Sequence, residues 1–243
     1  MPNQFDTIHC LFEQSGVFKN AFRDLGFAAY DYDIENTFNQ TDFVVDLFQE
    51  IEKCYSEKKS IFDNFKSNSL VMAFFPCIYF EGQQGMYYSL DSFNLKGSLS
   101  DKIDVVIERI TKREIYYKLL YKLVSICSKK RIGLIIENPA TQPSYLLYQQ
   151  NFFKPTFIDY NRRLSGDYFK KPTAYWFFGV ECLHNQTYQS NKLKLSVNSL
   201  PSSGHPGKCS IPRSIMSSEY AHNFICDHLL GSNPKFPQQQ TMF

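Results

Sequence analysis

Short apolar runs that end at a proline or an acidic residue recur along the chain, and they predict the strands of a buried sheet. The run 71–75 holds two aromatic residues and no charge before Pro76, and the run 133–136 reaches Glu137 in the same way. Uncharged runs of this length are typical of parallel strands buried on both faces, and proline ends a strand because it has no N–H to donate. Further strands are predicted at residues 7–12, 27–30 and 174–179.

Apolar residues at helical spacing lie between these runs and predict helices. The apolar positions from 17 to 25 share one face of a helix, and Gly26 follows them, as glycine often follows a helix end. A longer helix is predicted from residue 101 to about residue 127, and a last one from Ser217 to Gly231. Strands that alternate with helices predict an α/β fold with a mostly parallel central sheet and helices on both faces.

Three of the predicted strand ends carry groups that can do chemistry. Cys77 comes just after Pro76, and Glu137 closes the next buried run. Because ligands collect at the carboxyl edge of open α/β sheets, we expect these two side chains to face one pocket. Asp31 and Tyr32 follow the second predicted strand, where a carboxylate suits a ribose diol and an aromatic ring suits an adenine. An ordinary buried cysteine, and acids that only solvate a strand end, are the alternatives.

Composition and charge narrow the class of protein only a little. The chain has 243 residues, 43% of them hydrophobic, which is enough for one large core or a core with a small lobe. Its formal net charge of +2 neither requires nor excludes nucleic acid. No run reaches the ~18 apolar residues of a membrane-spanning helix, and the first residues lack the pattern of a signal peptide. Seven cysteines without a C-x-x-C pair argue against a secreted disulfide framework, so we expect a cytoplasmic protein without membrane association.

Taken in order, these residues resemble the motifs of the cytosine-C5 DNA methyltransferase family, particularly its short, divergent phage and bacterial members. The resemblance runs from about Ile8 to Gly231. Pro76-Cys77 resembles the family's nucleophile motif, and Glu137-Asn138 resembles its glutamate-asparagine motif. The residues that resemble the three cofactor motifs are Phe12, Glu13, Gln14, Ser15 and Gly16 for the first, Asp31 and Tyr32 for the second, and Asp46 and Leu47 for the third.

The resemblance implies a Rossmann-like methyltransferase fold and S-adenosylmethionine-dependent methyl transfer to C5 of cytosine, with DNA as the favoured substrate. Cytosine C5 is a poor nucleophile, so a thiolate must first add to C6 of the ring. By resemblance, Cys77 is that nucleophile, Glu137 holds N3, and the cofactor motifs together with Pro76 bind S-adenosylmethionine. The segment 78–86 contains two glycines and is expected to be a mobile loop that closes over the base.

The resemblance also suggests which residues bind the nucleic acid and how the chain is divided. Asn138 and four basic residues, Arg162, Arg163, Lys170 and Lys171, are the candidates for substrate binding, with a solvated loop as the alternative for the basic ones. The predicted divisions are a catalytic core at 1–179, a small lobe or long connection at 180–212, a C-terminal helix that returns to the core at 213–231, and a disordered tail at 232–243.

Several features separate the chain from the family pattern. Ile78 stands where the family has glutamine, and the gap between the cysteine and the glutamate is long, 137 − 77 = 60 positions. Only 213 − 179 = 34 positions separate Gly179 from Arg213, which leaves no room for a full target-recognition domain. A partner subunit could then supply target recognition. The alternatives are a catalytically silent protein of the same fold that binds S-adenosylmethionine or nucleic acid, and an enzyme that acts on free cytidine nucleotides.

A metal-stabilised interaction domain is the third hypothesis, because cysteines and histidines are concentrated late in the chain. Their spacings match no standard zinc pattern, so we expect no metal site. The residues concerned are Cys182, His184, His205, Cys209, His222, Cys226 and His228.

Overall fold

The structure is a computed structural model, and it describes residues 4–81, 88–91, 95–141, 144–185 and 215–233. The connection predicted at 180–212 is therefore described only in its first residues, 180–185, and the tail predicted at 232–243 only in residues 232 and 233. Most of the segment predicted to close over the base also lies outside the described residues. None of the helices in these ranges is both long enough and apolar enough to cross a membrane.

Seven strands form one sheet in the order β3-β2-β1-β4-β5-β7-β6. Every described pairing is parallel except those that β7 makes with β5 and β6. The prediction of an α/β fold with a mostly parallel sheet is confirmed. The strands are β1 Thr7–Leu11, β2 Ala29–Asp33, β3 Phe43–Val44, β4 Ser69–Phe74, β5 Gly133–Pro139, β6 Phe157–Asp159 and β7 Thr173–Phe178.

Helices cover both faces of this sheet, and alternate residues of the central strands face each side. Leu70 and Met72 of β4 pack with one group of helices, whereas Val71 and Ala73 pack with the other. This alternation explains why the central strands are apolar at every position. The first group is α1 (Val17–Asp24) with α4 (Ser218–Ile225, continued as a π-helical turn over Cys226–Leu230), and the second is α2 (Leu47–Tyr55) with α3 (Leu99–Lys130).

The elements with the clearest patterns lie where the sequence predicts them. β5 covers the predicted run and extends through Pro139, and β4 (Ser69–Phe74) begins two residues before and ends one residue before the predicted run 71–75. α3 begins two residues early because Ser98 caps it: the Ser98 side chain accepts from the Asp101 backbone N–H, and Asp101 accepts in return from the Ser98 N–H at 2.8 Å. This reciprocal pair is a capping box, which satisfies two helix-end donors.

The second strand departs from its prediction. The sequence predicts a strand over 27–30 that ends before Asp31, but β2 runs over Ala29–Asp33 and contains Asp31 and Tyr32. The strand tolerates Asp31 in its interior because Lys19 Nζ lies 2.9 Å from Asp31 Oδ2. The two- and three-residue edge strands β3 and β6 were not predicted, since runs of that length carry no periodic signal.

Candidate active site

A cavity of about 190 Å³ opens at the carboxyl ends of β1, β4 and β5. The strand order reverses between β1 and β4, and in open α/β sheets such a switch point is where ligands bind. Residues from all three strand ends line the cavity. They include Phe12, Glu13, Gln14 and Ser15 after β1, Phe75, Pro76 and Cys77 after β4, and Glu137 and Pro139 of β5.

Cys77 is held in a tight turn just past β4. Its carbonyl accepts from the backbone N–H groups of Phe80 at 2.8 Å and Glu81 at 3.1 Å. Phe80 is completely buried, so it anchors in the core the first part of the segment predicted as a mobile loop, whereas Ile78 is exposed. The thiol of Cys77 donates a hydrogen bond to Glu81 Oε1, with Sγ 3.1 Å from the oxygen. The turn therefore fixes both the sulfur and a carboxylate partner.

The surroundings of Cys77 keep its thiol protonated. Burial raises the pKa of Cys77 well above its ordinary value, and the negative charge of Glu81 raises it further. The ammonium group of Lys171, which lines the same cavity, acts in the opposite direction. A nucleophilic role for Cys77 therefore needs a group that accepts the thiol proton during attack.

Glu137 faces the same cavity from β5, where it pairs with Phe74 of β4. It is only 6% exposed, and within the described part of the chain its Oε1 atom has no hydrogen-bond partner. Burial raises the pKa of Glu137, while the positive charges of Lys171 and Arg162 lower it. A buried carboxyl oxygen without a partner costs free energy, and a ligand atom would relieve that cost.

Asn138, predicted to bind substrate, has a positioning role here. It is 1% exposed, and its Nδ2 donates to the carbonyl oxygen of Phe75 at 2.9 Å. This bond ties the end of β5 to the end of β4. Because Cys77 follows Phe75 and Glu137 precedes Asn138, the bond also fixes the relative position of the two candidate catalytic groups.

The turn after β1, predicted to bind the methionine part of the cofactor, lines the cavity but is partly satisfied by its own side chain. Glu13 accepts from the backbone N–H of Phe18 at 2.7 Å and of Lys19 at 3.2 Å, both in the first turn of α1. Burial raises the pKa of Glu13 to about 7. Its carboxyl group thus occupies the helix N-terminus that commonly binds a ligand anion. Gln14 Oε1 is buried and has no partner among the described residues.

Asp31 and Tyr32, predicted for the ribose and the adenine, lie outside the cavity. Asp31 is completely buried, pairs with Lys19 and accepts from the Asp42 backbone N–H at 2.6 Å. The Tyr32 hydroxyl lies 3.0 Å from His9 Nδ1, and its ring stacks on Phe43 with centroids 4.9 Å apart. Both side chains are engaged in the core, and the structure does not bring them to the cavity of Cys77 and Glu137, so their contacts with ribose and adenine stay predictions.

Asp46 and Leu47 of the third cofactor motif also do not line the cavity. Asp46 caps α2, as its side chain accepts from the backbone N–H groups of Phe48 at 3.0 Å and Gln49 at 3.2 Å. Leu47 is 2% exposed and belongs to the core. Asp46 thus begins a helix, and neither Asp46 nor Leu47 is among the described residues that line the cavity.

The four basic residues predicted to bind phosphate have different environments. Arg162 is completely buried, and its guanidinium lies 2.6 Å from Asp167 Oδ2. It is a core residue and is not among the residues that line the cavity, so its contact with phosphate stays a prediction. Arg163 is half-buried and Lys170 is exposed, and neither lines the cavity. Lys171 alone among the four lines the cavity together with Cys77 and Glu137.

Within the ranges that the structure describes, no group of three or more histidine, cysteine, aspartate or glutamate residues is arranged to hold a metal ion. Cys182 Sγ lies 3.6 Å from His184 Nδ1 and 3.9 Å from His228 Nδ1, and Cys226 Sγ lies 3.7 Å from His222 Nδ1. His205 and Cys209 fall outside the described residues.

The chain matches no model of a known protein family and none of the curated proteins with which it was compared. Its function therefore has to be inferred from the residues of the site. Glu81 is the group that sequence patterns did not reveal, because it lies in a segment without periodicity, where only the folded turn brings it back to Cys77.

Proposed function

We propose that the chain is a Rossmann-like methyltransferase that transfers a methyl group from S-adenosylmethionine to C5 of cytosine, with DNA as the favoured substrate. One observation carries the proposal. A half-buried thiol, Cys77, and a buried carboxyl oxygen of Glu137 that has no hydrogen-bond partner among the described residues line one cavity together with Lys171. This set of groups suits covalent activation of a pyrimidine ring.

The sheet supports the fold part of the proposal. Its order β3-β2-β1-β4-β5, with β6 beyond, follows the 3-2-1-4-5-6 order of the Rossmann fold, and the antiparallel β7 is inserted between β5 and β6. The cavity lies at the switch point of that order, between β1 and β4.

In the proposed reaction Cys77 is the nucleophile. Its sulfur forms a bond to C6 of the cytosine, while the thiol proton passes to Glu81 Oε1, which already accepts the S–H hydrogen bond at 3.1 Å. Lys171 stabilises the thiolate that develops, consistent with the direction in which it moves the pKa of Cys77. The thiol therefore stays protonated until the cytosine is close enough for the sulfur to bond to C6.

Glu137 is the proposed acid at N3. Because burial raises its pKa, Glu137 can carry the proton that N3 receives as sulfur adds to C6. The electrons of the C5–C6 double bond then make C5 nucleophilic. After methylation a solvent base removes the C5 proton, the C6–S bond breaks with its electrons going to the sulfur, and the C5–C6 double bond re-forms. N3 then returns its proton to Glu137, and the Cys77 thiolate takes back the proton held by Glu81.

The residues fit one end of S-adenosylmethionine better than the other. Gln14 Oε1 is buried and has no partner among the described residues, so it could accept from the ammonium group of the methionine part, beside Phe12 and Ser15. When bound, the cofactor supplies the electrophilic methyl sulfonium. At the adenosine end the fit is poorer, because Asp31 and Tyr32 do not line the cavity. The Phe12 ring there packs against Phe48 and Phe75, with centroids 5.6 and 5.2 Å away.

The second candidate is a catalytically silent protein of the same fold that binds nucleic acid or the cofactor. Two observations favour it. Glu13 already fills the α1 N-terminus, and Asp31 is committed to Lys19 rather than to a ribose. Both features weaken the contacts through which a nucleotide cofactor is normally bound.

Transfer of labelled methyl groups from S-adenosylmethionine distinguishes the two candidates. Duplex DNA, single-stranded DNA, RNA and cytidine nucleotides are tested in parallel with the wild type and with Cys77→Ala. The proposal predicts incorporation into cytosine by the wild type and none by the variant. Incorporation into none of the four substrates, by protein that still binds DNA or the cofactor in a calorimetric titration, supports the silent alternative.

A further inference from the structure

A second cavity of about 240 Å³ lies next to the first and is largely aromatic. The Cys77–Glu81 hydrogen bond joins the two, since Cys77 lines the first cavity and Glu81 lines the second. Any group bound in the second cavity is therefore a neighbour of the reacting base. Four tyrosines line it, namely Tyr79, Tyr88, Tyr145 and Tyr148.

The guanidinium of Arg113, on α3, is held in this second cavity by two tyrosine rings. The central carbon of its guanidinium lies 4.3 Å from the ring centroid of Tyr88 and 4.4 Å from that of Tyr145. No carboxylate in the described part of the chain lies within ion-pair distance of it. Two ring contacts fix the plane of the guanidinium and leave its N–H donors for an anionic ligand.

Two buried hydroxyl groups in the same cavity also lack partners. Ser144 is 3% exposed, and its Oγ atom has no hydrogen-bond partner within the described residues. The hydroxyl oxygen of Tyr88 is buried and unpartnered in the same sense. Buried hydroxyl groups of a folded protein are normally satisfied, so two orphans beside a free guanidinium point to a ligand that accepts hydrogen bonds.

We propose that this cavity binds the nucleotide adjacent to the target cytosine. This proposal rests on the proposed function and extends it to a polynucleotide substrate. The phosphate would accept from Arg113, Ser144 and Tyr88, and the base would stack on Tyr148, whose side chain is 58% exposed. Aromatic faces combined with arginine are the usual means of binding single-stranded nucleic acid. Glu81 lies at the end nearest Cys77 and would accept from a base amino group.

Fluorescence anisotropy with a labelled single-stranded cytosine-containing 12-mer tests the proposal, with free dCMP measured by calorimetry as the one-nucleotide probe. Tyr148→Ala is expected to weaken 12-mer binding about 5-fold to 100-fold and to leave dCMP binding unchanged. Arg113→Gln is expected to weaken it as well and to reduce the slope of log K against log salt by about one. Tyr160→Ala is the control, because Tyr160 is 70% exposed and lines neither this cavity nor the active site.

The outcomes separate this proposal from the function it rests on. If Tyr148→Ala and Arg113→Gln both bind the 12-mer as the wild type does, the second cavity is not a nucleotide site, and that result leaves dCMP binding and methyl transfer untouched. If the wild type binds dCMP as tightly as the 12-mer, the polynucleotide extension is overturned. If it binds neither probe, both proposals are overturned.

Discussion

Cys77 Sγ lies 3.1 Å from Glu81 Oε1, and the thiol donates to that oxygen. The two residues are four positions apart in a turn anchored by the buried Phe80. A carboxylate this close has two opposite effects on the sulfur: its charge opposes thiolate formation in the resting protein, and its oxygen can accept the proton when the sulfur attacks.

Replacing Glu81 with glutamine should separate these two effects. The pKa of Cys77 falls because the neighbouring charge is gone, so the Cys77 peptide should react faster with iodoacetamide at pH 8 to 9. Methyl transfer should become slower, by roughly 100-fold or more, because the proton acceptor is lost. Glu114→Gln, an exposed carboxylate on α3, should change neither rate. Slower alkylation in Glu81→Gln would contradict the assigned role.

Lys171 and Lys170 are adjacent in sequence, but replacing them should have different effects on Cys77 reactivity and on DNA binding. Lys171 lines the active-site cavity and lowers the pKa of both Cys77 and Glu137, whereas Lys170 is exposed outside it. Lys171→Ala should therefore slow alkylation of Cys77, weaken DNA binding and reduce its salt slope by about one. Lys170→Ala is the matched control. Equal effects of the two variants would mean that position in the cavity is irrelevant.

The Lys19–Asp31 pair should be structural. Both side chains are almost fully buried, so Lys19→Met leaves an uncompensated carboxylate in the core and should cost about 3–5 kcal/mol of unfolding free energy, measured by urea denaturation. Lys19→Met combined with Asp31→Leu should recover part of that loss. Arg23→Met breaks a half-exposed pair with Asp42 and should cost no more than about 1 kcal/mol.

The same pair provides a check on the ribose role predicted from the sequence. If Asp31→Asn leaves the unfolding free energy unchanged and abolishes S-adenosylmethionine binding, Asp31 is a ligand after all, and the structural assignment fails.

His9 should make the fold less stable in acid. Its ring stacks on Phe65 at 3.6 Å between centroids, and burial lowers its pKa from 6.5 to about 4. Between these values the unfolded chain binds more protons at His9 than the folded chain, so stability falls as the pH drops. Relative to pH 8, the loss from His9 at pH 5 is about 2 kcal/mol.

Glu13 changes the stability of the fold with pH in the opposite direction to His9, so the pH dependence of the wild type alone does not show the effect of His9. The pKa of Glu13 is raised to about 7, and the stability it contributes is lost as the pH rises from about 4.5 to about 7. The measurement is the difference in urea midpoint between pH 8 and pH 5 for the wild type and for His9→Phe. The variant should lose less stability in acid; an identical difference in both proteins would show that His9 titrates normally.

The sequence predicted those parts of the fold and site that depend on local patterns. β4 and β5 are uninterrupted apolar runs, and Pro76 and Glu137 mark their ends, so the meeting of Cys77 with Glu137 at one sheet edge followed from topology alone. The helix caps were not predicted in this way: Asp46 caps α2, and Ser98 caps α3, which begins two residues before its predicted start.

Local sequence patterns did not predict which charged residues lie in the core. Asp31 was predicted to bind ribose because it resembles the acid of a cofactor motif, and Arg162 was predicted to bind phosphate because it belongs to a basic group. Each is neutralised by a partner from another element, Lys19 and Asp167, and nothing local reveals that pairing. Glu81 was missed for a related reason, since its contact with Cys77 exists only in the folded turn.

The central claim, that Cys77 attacks C6 of a cytosine held by Glu137, is tested most directly by covalent trapping. A cytosine with fluorine at C5 cannot lose a proton from that position, so the adduct remains after methyl transfer. With S-adenosylmethionine and a 5-fluorocytosine oligonucleotide, the wild type should form a complex that survives denaturation, with peptide mass spectrometry locating the bond at Cys77. Glu137→Gln should form it far more slowly, and Cys77→Ala should form none. Methyl transfer to unmodified cytosine by Cys77→Ala, or an adduct at another cysteine, would contradict the account.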